Sequence, residues 1–195
     1  ATWSWAVAQG AWPTLSRLRP ALAHAWDALG LFRDGISACE AAADAIGRQL
    51  APDALAPDHA AEVAAILLVA AWFHSRLAES ERAVTRLEEA RRFAVRSGNA
   101  RLLERVDYQQ GFQLYLQTKY NAARPLLERA RATAQQRGDR VGELETLSVL
   151  ARLAHRAGDP SLMQSVVEAA EQRFGDRTAA LEMGYIRFAA APALT

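Results

Sequence analysis

LEEARRFAVRSGN, residues 87–99, reads against LERARATAQQRGD, residues 127–139, at an offset of 40. The offset pairs Leu87 with Leu127, Glu88 with Glu128, Ala90 with Ala130, Ala94 with Ala134 and Gly98 with Gly138. A further step of 40 reaches Val167, Glu168, Ala170 and Phe174. The same step links Ala71, Gly111 and Ala151, and then Ala83, Ala123 and Met163. Upstream, an offset of 48 puts Gly35, Cys39 and Ala42 in register with Ala83, Leu87 and Ala90, the extra residues falling in the Pro- and Asp-rich stretch APDALAPDH. Self-similarity at this period is the mark of a stacked repeat protein.

Each unit reads as a pair of helices. Alanine, leucine and arginine dominate, β-branched residues are sparse, and that composition favours helix. No segment alternates apolar with polar residues as a half-buried strand does. Gly98-Asn99 and Gly138-Asp139 each supply a C′ glycine followed by an N-cap, and Gly158-Asp159-Pro160 adds a proline at the first helical position. Ser80-Glu81 opens a helix after Ala78. The signals predict helices near 2–9, 13–29, 32–50, 59–77, 80–97, 100–117, 120–137, 140–157, 160–174 and 177–190. Pro20 predicts a kink in the second, while Pro125 falls in the first turns of its helix, where a missing N–H costs less.

Within a second helix, Ala83, Leu87, Ala90 and Ala94 fall at i, i+4, i+7 and i+11, on one face. The small residues admit a close neighbour, and leucine fills the space between pairs. Gly111 reads as the matching close-approach point on a first helix, with Leu114 packing beside it. Neither stripe can be buried by one helix alone, so the pairs are expected to stack as an α-solenoid.

Charge and composition narrow the function. The stretch EEARRFAVRSGNARLLER, residues 88–105, holds five arginines and three glutamates and resembles a basic patch. In register it splits at Gly98-Asn99 into two helices, with Glu88, Arg92 and Arg96 along an outer strip and Arg105 left as a groove candidate. Over the chain, 23 basic side chains face 22 acidic ones, for a net charge of +1, which argues against a nucleic-acid domain. Cys39 is the single cysteine, so no internal disulfide or cysteine metal site is expected, and a reducing cytoplasm suits the chain. The uncharged apolar run Val63 to Phe73 is about half of what a bilayer needs. ATWSWAVAQG at the start carries no secretory signal pattern. It begins without methionine inside an apparent helix, which suggests a fragment of a larger protein.

Catalytic and metal patterns are missing. His24, His59, His74 and His155 have no paired-ligand spacing. Cys39, in register with Leu87 and Leu127, is expected in the core and not as a nucleophile. Glu143 and Glu145 diverge on their helix and cannot share a substrate. No G-x4-G-K-(S/T) phosphate loop occurs, so neither a cofactor nor a nucleotide is expected on this chain, and no enzymatic activity is.

The third pair resembles the tetratricopeptide repeat through Gly111-x2-Leu114-x3-Thr118-x-Tyr120-x2-Ala123-x3-Leu127-x2-Ala130. Asp107 stands where that family often has tryptophan, Thr118 replaces a turn glycine, and no proline follows the second helix. The period of 40 also exceeds the family's usual length of about 34. The resemblance implies an all-α, right-handed solenoid of antiparallel helix pairs forming one repeat domain over 1–195. It divides into an opening, capping helix at 1–12, pairs at 13–58, 59–98, 99–138 and 139–175, and a C-terminal helix and tail at 176–195. The opening looks like the join between a winged-helix segment and a repeat sensor in signal-transduction ATPases of the STAND class. Trp3, Trp5, Ala6, Gln9 and Gly10 carry the first half of that likeness, and Gly30, Phe32, Gly35 and Glu40 the second. Many bacterial transcriptional regulators belong to this class.

The resemblance implies a noncatalytic arm that binds an inducer, peptide or protein in a concave groove and controls upstream ATPase and winged-helix domains. It implies no direct nucleic-acid contact and no membrane. Family groove positions carry over to Arg17, His24 and Asp27 on the first pair and Leu68, Trp72, Ser75 and Arg76 on the second. The third pair offers Arg105, Tyr108, Phe112 and Tyr115, and the fourth Glu145, Ser148, Arg152 and His155. Their rings and guanidinium groups suit a ligand that stacks and accepts hydrogen bonds, although Trp72 and Phe112 also fit packing between helices. The Lys/Asn carboxylate clamp of co-chaperone repeats is absent from these positions. Trp3, Trp5 and Trp12 suit capping of the open end or docking of the upstream domain. A free-standing adaptor that binds a peptide in the same groove is the alternative function.

Overall fold

The computed structural model describes residues 2–49 and 55–175. Among them are nine α-helices and no strand: α1 Thr2–Ala8, α2 Trp12–Ala28, α3 Phe32–Gln49, α4 Pro57–Arg76, α5 Ser80–Ser97, α6 Ala100–Leu116, α7 Tyr120–Arg137, α8 Arg140–Ala157 and α9 Pro160–Phe174. The predicted helices up to residue 174 are therefore present with ends shifted by at most two residues. The predicted helix at 177–190, and residues 51–54 of the insertion APDALAPDH, lie outside the described residues. The helix α2 runs unbroken through Pro20. No helix among the described residues is long and apolar enough to cross a membrane.

The chain forms two compact units, Ala1–Val106 and Asp107–Thr195. In the first, α4 packs on both α3 and α5, and α1 and α2 cover α3. From Ala60 to His74, α4 is buried almost all round, as expected of a helix whose sequence is apolar on every face. In the second unit, α8 packs on both α7 and α9 and is likewise buried on most faces.

The repeat register holds in the core. Ala83, Leu87, Ala90 and Ala94 are fully buried, and so are Ala123, Leu127, Ala130 and Ala134. Cys39, Ala42 and Ile46 occupy the equivalent stripe of α3. In α9 the register slips by one place: Val166 is buried where the offset of 40 had assigned Val167, which is half-buried. Residues i+3 and i+4 flank the same line along a helix with 3.6 residues per turn, so either can supply the apolar contact. Gly111 is a point of close approach, because a Cβ there would lie 2.7 Å from Leu127 Cγ and 3.3 Å from the Ala123 carbonyl oxygen. Gly35 does the same on α3, against the ring of Phe73.

Turns follow their own chemistry. Gly98, Gly138 and Gly158 take the left-handed conformation that ends a helix, with φ of 64°, 68° and 65°. Asn99, Asp139 and Asp159 then cap the next helix. Asp139 accepts from Gly142 N at 3.0 Å and Asp159 from Leu162 N at 2.9 Å. Asn99 Oδ1 accepts from Arg101 N and Leu102 N. Two further turns use residues with a Cβ, Ala78 at φ 58° and Thr118 at φ 60°. A β-branched side chain is strained in this conformation by about 1–2 kcal/mol. Thr118→Gly is therefore expected to raise stability by roughly 1 kcal/mol after the flexibility cost of glycine. The check is thermal unfolding by circular dichroism, where a rise of about 3 °C is expected and an unchanged or lower midpoint contradicts the strain.

Candidate functional site

Groove candidates from separate helices meet within each unit. In the first unit, Trp72 Nε1 on α4 donates to Asp27 Oδ1 on α2 at 3.3 Å, and Arg76 Nε lies 3.7 Å from the same oxygen. The Arg76 guanidinium sits 5.2 Å from the centre of the Phe32 ring, within cation–π range. Arg17 and His24 are exposed on α2, Ser75 donates back to Ala71 O at 2.8 Å, and Leu68 is buried. On α6, Arg105 is half-buried.

In the second unit, rings follow one another along α6 into α7. Tyr108 and Phe112 stack with centres 6.3 Å apart and an interplanar angle of 3°. Phe112 and Tyr115 follow at 6.1 Å, then Tyr115 and Tyr120 at 6.1 Å. Tyr108 is buried in the core of this unit, whereas Phe112, Tyr115 and Tyr120 are half-buried. The Arg152 guanidinium, from α8, lies 6.0 Å from the Phe112 ring centre. Arg152 also donates through Nε to Ser148 O at 3.2 Å, and the buried Ser148 Oγ has no hydrogen-bond partner. Glu145 is half-buried and His155 is exposed. This surface offers flat apolar faces with a cation at one edge, which suits a ligand bearing rings or apolar groups next to an acceptor.

Buried charge explains several residues that the repeat pattern left unassigned. Glu62 and Glu143 lie on the two most enclosed helices and need partners there. Arg19 answers Glu62 with two bonds, at 2.9 and 3.4 Å. Arg173 Nε donates to Glu143 Oε2 at 3.1 Å. Asp107, buried on α6, takes two bonds from Arg129, at 2.9 and 3.1 Å. In each case a long guanidinium reaches from another helix, and no local spacing rule shows which arginine will arrive.

A further polar cluster centres on a histidine that has no ligand spacing in the sequence. His74, in the last turn of α4, is buried between Glu79 and Glu40, its Nδ1 2.7 Å from Glu79 Oε2 and its Nε2 3.3 Å from Glu40 Oε1. No spacing motif joins residues 40, 74 and 79; the fold alone brings them together.

No protein-family model matches the sequence, and no curated protein matches it either.

Among the described residues, no group of three His, Cys, Asp or Glu side chains is placed to hold a metal ion. Cys39 is buried, and burial pushes its thiol up to about 12, against the smaller opposing effect of Arg19. It is therefore protonated at neutral pH and a poor nucleophile. The tryptophans near the start divide in role. Trp3 is buried, donating through Nε1 to Ala38 O at 3.1 Å and meeting Trp26 edge-on at 6.1 Å. Trp12 lies against His59 at 5.1 Å, while Trp5 is 57% exposed.

Proposed function

We propose that this chain is a noncatalytic binding module of the tetratricopeptide type, the sensor arm of a STAND-class regulatory ATPase or transcriptional regulator in the bacterial cytoplasm. In this reading its helix pairs stack antiparallel as a right-handed solenoid, and the first helices line a groove for a protein, a peptide or a small-molecule inducer. The ligand favours one arrangement of arm and ATPase and so shifts the switch. The observation that carries the reading is the meeting of Phe112 and Arg152. Positions assigned to one groove from different repeats come together on α6 and α8, beside half-buried Tyr115.

The test is a displayed peptide library with acidic and aromatic anchors, selected on the wild-type chain, with affinities then measured for Tyr115→Ala and Arg152→Ala. Each change is expected to weaken the selected ligands by about tenfold, equivalent to about 1.4 kcal/mol, with the helical melting curve nearly intact. Ligands that bind all three proteins equally place the site elsewhere, and a library that yields none counts against a peptide groove.

A further inference from the structure

The surroundings of His74 are electrically crowded. Glu40, on α3, also accepts from Arg86 of α5 at 3.0 and 2.9 Å, and Arg86 is held in turn by Glu89 at 2.8 Å. Glu79, in the turn between α4 and α5, is flanked by Arg33 of α3 at 3.6 Å and Arg82 of α5 at 3.7 Å. Glu40, Glu79, Arg33 and Arg82, with Asp44, border a cleft of about 350 Å³ that His74 also lines.

An ionised carboxylate only accepts hydrogen bonds, and a neutral imidazole has a single N–H. Both His74 contacts can be hydrogen bonds at once when the ring carries two protons. Glu79 is suited to this partnership. Its hydrogen bond with His74 holds its carboxyl below the ordinary value against desolvation, and the charges of His74, Arg82 and Arg33 add to the effect.

We propose that His74 is a pH-responsive latch: the protonated ring ties α3 to the α4–α5 turn, and loss of its proton releases Glu40. The shorter contact, to Glu79, keeps the remaining proton on Nδ1. The Nε2 lone pair then faces the Glu40 carboxylate across 3.3 Å in a buried position, which is repulsive. Arg86 still holds Glu40, so relief comes from the Glu40 carboxylate turning away from Nε2 along the face of α3 that walls the cleft. The folded arrangement offers a carboxylate to each ring nitrogen. Two hydrogen bonds to carboxylates need both ring protons, so the latch is complete in acid and is lost as pH rises. At the far acid end it is lost again, as pH falls through the lowered Glu79 value.

The experiment uses nitrogen-15 chemical shifts of the histidine rings in the wild-type chain, together with melting midpoints at about pH 6 and pH 9 for wild type, His74→Gln and Glu40→Gln. The latch predicts that both His74 nitrogens are protonated at the lower pH and one at the higher. The wild-type midpoint should fall by roughly 2–4 °C more than that of either variant. His24, His59 and His155 are common to all three proteins, so their contributions cancel. A His74 ring with one proton at the lower pH, or parallel falls in all three proteins, overturns the proposal. Where His74→Gln does not fold, the wild-type ring shifts and Glu40→Gln still decide it.

Discussion

Arg19→Met is expected to lower the stability of the folded chain by about 3 kcal/mol, a drop in melting midpoint of roughly 6–12 °C. The change leaves Glu62 buried on α4, at 8% side-chain exposure, without the guanidinium that holds both its oxygens. The figure sits at the low end for a broken buried pair because Arg19 keeps 21% of its side chain in water. Removing both charges has a different outcome. Arg19→Met with Glu62→Leu puts apolar volume where the pair had been and is expected to return to wild-type stability or above. Chemical denaturation of the two single variants and the double variant checks this. A double variant as unstable as Arg19→Met would mean that the pair itself, and not the stranded carboxylate, sets the cost.

Leu127→Ala is expected to cost about 3 kcal/mol, because the leucine is fully buried and its removal leaves a cavity. Gly111→Ala is expected to cost about 2 kcal/mol for the opposite reason: its new methyl group would press on Leu127 Cγ, 2.7 Å away. The two sites share one space. In the double variant the added methyl occupies part of the cavity, so the combined loss should fall short of the sum by about 1 kcal/mol. Strict additivity in a double-mutant cycle would show that the Gly111–Leu127 approach is not what holds α6 against α7.

The helices and the buried stripe were legible because both are written locally. The stripe Ala83-Leu87-Ala90-Ala94 and the Gly-Asn and Gly-Asp junctions act within one or two turns, where spacing in sequence is spacing in space. Gly111 could be read as a close approach for the same reason. The candidate surface was legible in part. Asp27, Trp72, Phe112 and Arg152 were each singled out as positions on first helices, but the pairing of Asp27 with Trp72 and of Phe112 with Arg152 came only with the structure. What the sequence could not show was how far each would sink: Tyr108 lies in the core, whereas Phe112 and Tyr115, on the same helix, are half-buried. The charged cluster at His74 was illegible. Its members come from α3, α4, the following turn and α5, and their meeting depends on how whole helices pack. Val166 takes the place assigned to Val167 because the two border the same line on the helical face, which a repeat offset does not distinguish.

The glycine-and-cap junctions at residues 98–99, 138–139 and 158–159 carry a consequence for how such a chain is made and remade. Each stops one helix and starts the next with groups drawn from a few neighbouring residues. Much of the information for a hairpin of helices is thus present as soon as its own segment has left the ribosome, which favours early, local folding. It also makes the forty-residue segment a natural cassette. A duplication cut at these glycines would carry its own stop and start signals, so the array could gain or lose a pair without rewriting its neighbours.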